Sequence, residues 1–249
     1  KKIHSEISER LLEEINYNKE IKNIKTFHKI FNKTDNVRIP KVFNSLSTSK
    51  LITMSWLEGY SINDLVKIKS RNKSIKEDIA KNIFNVWYKP FYNFGIIHGD
   101  PHFGNYSFSD NGDVNLFDFG CIRIFPIRFV NAVLDLYYAL KNKDEDQSVQ
   151  AYKTWGFKKI NKELISVLNL WASYIYGPLL EDKKRLIQGS EKKGYGFDVA
   201  NKVYKKLKEI GGGIEPPREF VFMDRAAIGM GSLFMKLDIK LNWHQLFEK

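Results

Sequence analysis

Cysteine is almost absent from this chain: Cys121 is the only one in 249 residues. A single thiol excludes an internal disulfide and favours a reducing compartment, and taken alone it reads as a small packed side chain. Long hydrophobic runs are missing too. No stretch of about 18 apolar residues occurs, so no bilayer-spanning helix is expected. There is no signal-peptide pattern and no initiator methionine; Lys1 and Lys2 stand directly before a helical pattern, which suggests that an N-terminal part precedes them. Internal repeats and low-complexity segments are lacking, which excludes solenoid and linker-like architectures. Acid is in the minority: 29 Asp and Glu against 40 Lys and Arg leave a formal charge of +11 and a pI near 9.4. That balance suits nucleic acid, an anionic membrane surface or a phosphorylated ligand. The lysines are dispersed through "KSRNKSIKED", "EDKKRL", "SEKKGYG" and "KVYKKLKE". With no continuous basic helix and no RNA-binding aromatic signature, no nucleic-acid partner is expected; anionic lipid headgroups are the sharper reading of the charge, and solvated surface the plain one.

What is present is enough apolar material for a core, 43% hydrophobic and 14% aromatic in 29.1 kDa. The apolar spacing of "SERLLEEINYNKEIKNIKTFHKIF" predicts one long amphipathic helix over about 6–31, carrying Glu13, Glu14 and Glu20. "VRIPKVFNSLSTSKLITMSWLEGYSI" reads as two short strands around the turn "SLSTSK", the first beginning at Pro40 and the second ended by Gly59. Helices are expected at about 61–68 and 76–94, the latter with Pro90 as a potential kink, then at 126–142, 145–155, 161–177, 196–209 and 217–236, with 188–196 as a loose region. The order is helix, two strands, then a helical mass with one embedded hairpin. This predicts a predominantly helical α+β fold, and not a doubly wound sheet.

The hairpin lies in "IIHGDPHFGNYSFSDNGDVNLFDFG", residues 96–120. Asn111-Gly112 is the sequence of a two-residue turn between "YSF" and "VNLF". Asn105 then lies just before one strand and Asp118 just after the other, facing the same space, with Asp100 on the loop feeding in. One charged and one neutral oxygen donor suit a hard cation that keeps its waters and bridges phosphates, for which magnesium is the natural candidate. A lone loop aspartate is most often a cap or turn former. The conjunction of Asp-x4-Asn, a hairpin and Asp-Phe-Gly is different: it is the spacing phosphoryl transfer needs, one aspartate to position the acceptor and an Asn/Asp pair to hold metal.

"HGDPHFGN" with "LFDFG" resembles the catalytic and metal loops of the protein-kinase-like superfamily. The proline–histidine form, together with "LLEEINYNKEIKNIKTF", "IPKVFNSLSTSKLITM", "LITMSWLEGYSINDL" and the tail "PPREFVFMDRAAIGMGSLFMKL", resembles the UbiB (AarF) family of atypical kinases. That resemblance implies a protein-kinase-like fold: a partial N-lobe over 1–57, holding the regulatory helix and two strands to the hinge, and a helical C-lobe over 58–249. It implies Asp100 as the catalytic-loop aspartate and Asn105 and Asp118 as metal ligands. By the same resemblance Glu14, which periodicity alone cannot separate from Glu13, is the helix glutamate that pairs with a phosphate-orienting lysine. Met54, Ser55 and Leu57 fall in the hinge, with main-chain groups of Ser55 and Leu57 meeting adenine.

Two departures shape the expected mechanism. Protein kinases place arginine before the catalytic aspartate, where this chain has Gly99, and no Ala-Pro-Glu follows within 30 residues of Gly120. A peptide substrate is therefore not expected. The family's phosphate-covering loop and strand lysine belong before Glu14, where 13 residues stand, so the sequence reads as a member lacking its N-terminal part. The resemblance implies an atypical ATPase or phosphotransferase that binds ATP and magnesium. It also implies a cytoplasmic, peripherally membrane-associated role in ubiquinone or other isoprenoid-quinone biosynthesis. A lipid or quinone precursor and other quinone-biosynthesis proteins are then the expected partners. The competing readings are an aminoglycoside- or choline-type phosphotransferase and a non-catalytic, lipid-facing scaffold switched by nucleotide.

Overall fold

The computed structural model describes residues 16–31, 36–67, 73–158, 160–187, 201–203, 205–206, 209–210 and 218–248. Contacts divide the chain into two compact units, residues 1–124 and 125–249.

In the first unit, helix α1 (Tyr17–Phe31) buries Ile21, Ile24, Phe27, Ile30 and Phe31, the three-to-four-residue stripe read from the sequence. The earlier part of the expected helix, 6–15, lies outside the described residues. The expected pairing of the segment after Pro40 with 51–57 is present as a narrow antiparallel contact, Phe43 N–H to Thr53 C=O and Ser55 N–H to Lys41 C=O at 2.8 Å each, while the two residues that form strand β1 (Val37–Arg38) lie before Pro40 and pair elsewhere. Strand β1 runs parallel to β4 (Val114–Leu116), with Val37 opposite Val114, and an Arg38–Asp113 ion pair ties it to the embedded hairpin. The segment "KLITMSW" forms isolated bridges, Val42 to Met54 and Thr48 to Leu51, in place of a continuous strand. Hydroxyls there compete for the main chain. Ser47 Oγ donates to Phe43 C=O (2.9 Å) and accepts from Thr53 N–H (3.0 Å), while Thr53 Oγ1 donates to Leu46 C=O (2.6 Å).

Helix α2 (Ile62–Lys67) and α3 (Lys73–Phe94) follow; α3 runs through the buried Pro90 and contributes Ile79, Ile83 and Val86 to the core. Strand β2 (Ile96–His98) pairs antiparallel with β5 (Ile122–Ile124). Strand β3 (Tyr106–Phe108) pairs antiparallel with β4, giving a three-stranded sheet in the order β1-β4-β3.

In the second unit, α4 (Ile127–Asn142) and α5 (Glu145–Trp155) form a helical hairpin. Lys143 turns left-handed at φ 56°, and Asp144 caps α5 by accepting from Gln147 N–H at 2.9 Å. Asn161 caps α6 (Lys162–Leu180) in the same way, accepting from Leu164 N–H at 2.8 Å. Two short strands, β6 (Lys184–Arg185) and β7 (Leu241–Asn242), pair antiparallel, and helices α7 (Arg218–Leu237) and α8 (Trp243–Glu248) flank β7. The expected loose region 188–196 lies outside the described residues, as does part of the helix expected at 196–209. The core is aromatic: Phe220 packs against Trp155, Phe157 and Trp171 at ring separations of 5.4, 5.1 and 4.7 Å. Among the described residues no helix is long and apolar enough to cross a membrane.

Candidate phosphoryl-transfer site

The turn that brings Asn105 and Asp118 together differs from the two-residue form expected. Ser109 N–H donates to Asp113 C=O (3.0 Å) and Gly112 N–H to Ser109 C=O (3.1 Å), so three residues, 110–112, make the loop. Gly112 takes the positive angle, φ 91°, whereas Asn111 does not, which is the arrangement of a turn closed by a left-handed glycine. The consequence for the strand ends is unchanged. Phe117 N–H donates to Asn105 C=O at 2.9 Å, one residue before Asp118.

Asn105 is buried and its amide is already oriented. Nδ2 donates to Asp100 Oδ2 (2.8 Å) and to the Asp100 carbonyl (3.1 Å), which leaves Oδ1 as the side chain's group for a cation. Asp100 Oδ1 accepts from His102 N–H at 3.3 Å, and His102 Nδ1 from Gly104 N–H at 3.1 Å, so the loop is held by its own side chains. Asp118 is exposed and left-handed, φ 54°, an angle aspartate tolerates better than most residues; its Oδ1 accepts from Gly120 N–H at 3.1 Å.

His98 lies beneath both acids. Its Nε2 meets Phe117 C=O at 3.0 Å, and burial pushes its pKa down against the pull of Asp118 and Asp100, whose charges both reach the ring. The buried ring supports the chain at Phe117, directly before Asp118. Gly99 is explained by the same packing. Its N–H donates to Cys121 C=O at 2.7 Å, and a Cβ at this position would run into that carbonyl. The close β2–β5 approach therefore excludes the arginine found there in protein kinases.

The segment expected to form the hinge, residues 54–57, lies against residues 41–43 through an isolated bridge, Val42 to Met54. Ser55 N–H donates to Lys41 C=O (2.8 Å) and Ser55 Oγ accepts from Lys41 N–H (2.9 Å). Among the described residues, Ser55 C=O and Leu57 N–H take no hydrogen-bond partner. Met54 is exposed and Trp56 is 83% exposed. Just beyond, Tyr60 and Phe108 exchange main-chain hydrogen bonds of 2.8 and 2.9 Å, and Asn115 Nδ2 donates to Glu58 C=O at 2.9 Å. A Cβ on Gly59 would come within 2.6 Å of Ser107 Oγ and 2.7 Å of Asn115 Nδ2, so glycine is what lets this segment pack onto the hairpin. Glu14 lies outside the described residues.

Sequence reasoning passed over the roles of Glu20 and Asn23 on α1. Glu20 Oε1 accepts from Phe119 N–H at 3.2 Å, and Asn23 Nδ2 donates to Phe119 C=O at 2.8 Å. Burial raises the pKa of Glu20, the Phe119 hydrogen bond opposes the rise, and the charge of Asp118 adds to it. The signal available was periodicity: Glu20 precedes Ile24 and Phe27 by four and seven residues, so it lies beside the buried stripe.

A family model, the ABC1 atypical kinase-like domain, matches residues 1–152. The chain belongs to the ABC1 atypical kinase-like family. The resemblance to UbiB (AarF) proteins is thereby borne out. Among curated relatives, the chloroplastic ACTIVITY OF BC1 COMPLEX KINASE 1 of Arabidopsis thaliana is 27% identical over 155 residues, 62% of this chain and 23% of that protein. The slr1919 protein of Synechocystis is 22% identical over 236 residues, 95% of this chain and 40% of its own length. This ABC1-family chain thus spans well under half the length of those relatives. A solved complex of Rv3197 with erythromycin from Mycobacterium tuberculosis superposes with a TM-score of 0.69 at 18% identity, covering 99% of this chain and 60% of that one, which establishes the kinase-like, mainly helical α+β fold.

The donor set of this ABC1-family site fits a nucleotide-bound magnesium ion better than a protein-only metal cage. Among the described residues no three His, Cys, Asp or Glu side chains gather around a common point. A carboxylate and an amide oxygen, with the rest of the shell left to phosphate and water, is the usual magnesium arrangement.

Proposed function

We propose that this chain carries the nucleotide and metal site of an atypical kinase-like ATPase or phosphotransferase of the UbiB type. Asp118 and Asn105 Oδ1 hold magnesium, which draws charge from the nucleotide's phosphates when bound. Asp100 orients the hydroxyl or water that accepts the phosphoryl group. Ser55 C=O and Leu57 N–H face adenine next to Met54, and Glu14 pairs with a phosphate-orienting lysine. The lobes divide at the hinge, 1–57 and 58–249. The acceptor is water or a small lipid or quinone precursor and not a peptide, in support of isoprenoid-quinone synthesis at an anionic membrane surface.

The observation that carries this reading is the hydrogen-bonded frame joining both loops: Asn105 Nδ2 to Asp100 Oδ2 at 2.8 Å, and Asn105 C=O to Phe117 N–H at 2.9 Å. It ties Asp100, Asn105 and the strand end before Asp118 together around one hairpin, which supports the roles proposed for them. Thermal unfolding with magnesium and ATP tests it. The full-length wild-type protein is expected to be stabilised, and Asp118→Asn to abolish the effect; an unchanged shift in the variant removes Asp118 from the metal site. Stabilisation with no release of phosphate identifies a nucleotide-switched scaffold in place of an enzyme.

A further inference from the structure

One face of α1 grips a single residue of the metal loop at three points. Glu20 Oε1 accepts from the Phe119 N–H at 3.2 Å, Asn23 Nδ2 donates to the Phe119 carbonyl at 2.8 Å, and the Phe27 ring meets the buried Phe119 ring edge-on, centroids 5.1 Å apart. Positions 20, 23 and 27 follow the three-and-four-residue spacing of one helix face. Phe119 directly follows Asp118, whose φ of 54° is a conformation that persists only when its surroundings hold it. With both polar groups of Phe119 bound, the peptide joining it to Asp118 cannot turn without breaking the Glu20 bond. That rotation is what would re-aim the residue that follows the Phe117–Asn105 main-chain bond, Asp118.

We infer that Glu20 and Asn23 are positioning residues that act through the Phe119 main chain to aim Asp118 at magnesium, with Glu20 serving as a hydrogen-bond acceptor and not as a counter-ion. This rests on the magnesium site proposed above. Among the described residues, Glu20 meets no cationic side chain within ion-pair distance. Glutamine keeps the acceptor oxygen and loses the charge, so it separates the two roles.

The test uses the intact protein and titrates magnesium by thermal shift at saturating ATP, alongside amide hydrogen exchange at Phe119 without ligand. Glu20→Ala and Asn23→Ala should each weaken the magnesium response by about tenfold, the scale at which groups supporting metal ligands act. The unliganded melting temperature should move little, and Phe119 N–H should exchange faster in Glu20→Ala. Glu20→Gln should behave as wild type in both readouts. A Glu20→Gln variant as impaired as Glu20→Ala overturns the acceptor role, and magnesium titrations unchanged in both alanine variants overturn the clamp. Wild-type protein that ignores magnesium instead removes the metal site itself, an outcome distinct from either.

Discussion

The two units bury different chemistry. Among the described residues the buried polar side chains are Asn82, His98, Asn105, Asp113 and Asn115 in the first unit and Ser148 alone in the second. Nearly all of the five serve the main chain of irregular segments: Asn82 Nδ2 donates to Gly112 C=O at 2.9 Å, Asn115 Nδ2 to Glu58 C=O, and His98 meets Phe117 C=O. The second unit instead packs aromatic rings and caps its helices at their ends. Buried polar groups must be hydrogen-bonded to be tolerated, so they specify geometry without adding much stability. Apolar packing does the reverse. The unit rich in internal amides is the one with loops to hold in place, and the other is held largely by apolar and aromatic packing.

That contrast can be broken by substitutions in either unit. The largest effect should come from Trp155→Ala, which empties the centre of the aromatic cluster and removes the hydrogen bond from Nε1 to Phe129 C=O. A loss of about 3–5 kcal/mol is expected in chemical denaturation. A smaller loss would mean that the cluster repacks and that the second unit is looser than its rings suggest. Gly99→Ala comes next, at about 1–3 kcal/mol, because the Cys121 carbonyl must be displaced. Since Asp100 is the following residue, this variant should also weaken the ATP-dependent thermal shift, whereas Trp155→Ala should leave that shift intact in the folded fraction.

The smallest effect sharpens the comparison by pH. Asp224, in the second unit, is half-buried and accepts from Trp171 Nε1 at 2.8 Å; burial raises its pKa, and that hydrogen bond only partly opposes the rise. A carboxyl whose folded pKa is raised contributes most below its unfolded value, about 4, and loses that contribution as pH climbs through the folded value. Asp224→Asn keeps the acceptor and cannot ionise. It should therefore match or exceed wild type in urea midpoint at pH 7, and its relative advantage should shrink as the pH falls towards about 4. A constant difference across that range would show that the folded protein does not disfavour the ionised carboxylate.

Much of the site could be read before any fold was known. Strand, turn and strand around Gly112, with Asn105 and Asp118 at its ends, follow from local turn chemistry, and the three-residue loop in place of a two-residue one left the strand ends together. The strand expected at "KLITMSW" pairs antiparallel with residues 41–43 but is broken into isolated bridges, because propensity does not register hydroxyls that capture main-chain groups, as Ser47 and Thr53 do. The partnership of Glu20 and Asn23 with Phe119 spans 99 and 96 residues of sequence. Periodicity could place a glutamate beside the buried stripe of α1 but could not supply its partner.

What the sequence determined by itself is local: where helices repeat, where the hairpin turns, and which acids and amides flank it. These depend on interactions within a few residues, which composition and spacing encode directly. Only the tertiary structure decided that β1 joins the hairpin in parallel, that Gly99 must lack a side chain, and that one helix face holds the main chain of Phe119, next to Asp118. Each of those depends on the approach of segments far apart in the chain, where a few tenths of an ångström separate a hydrogen bond from a collision.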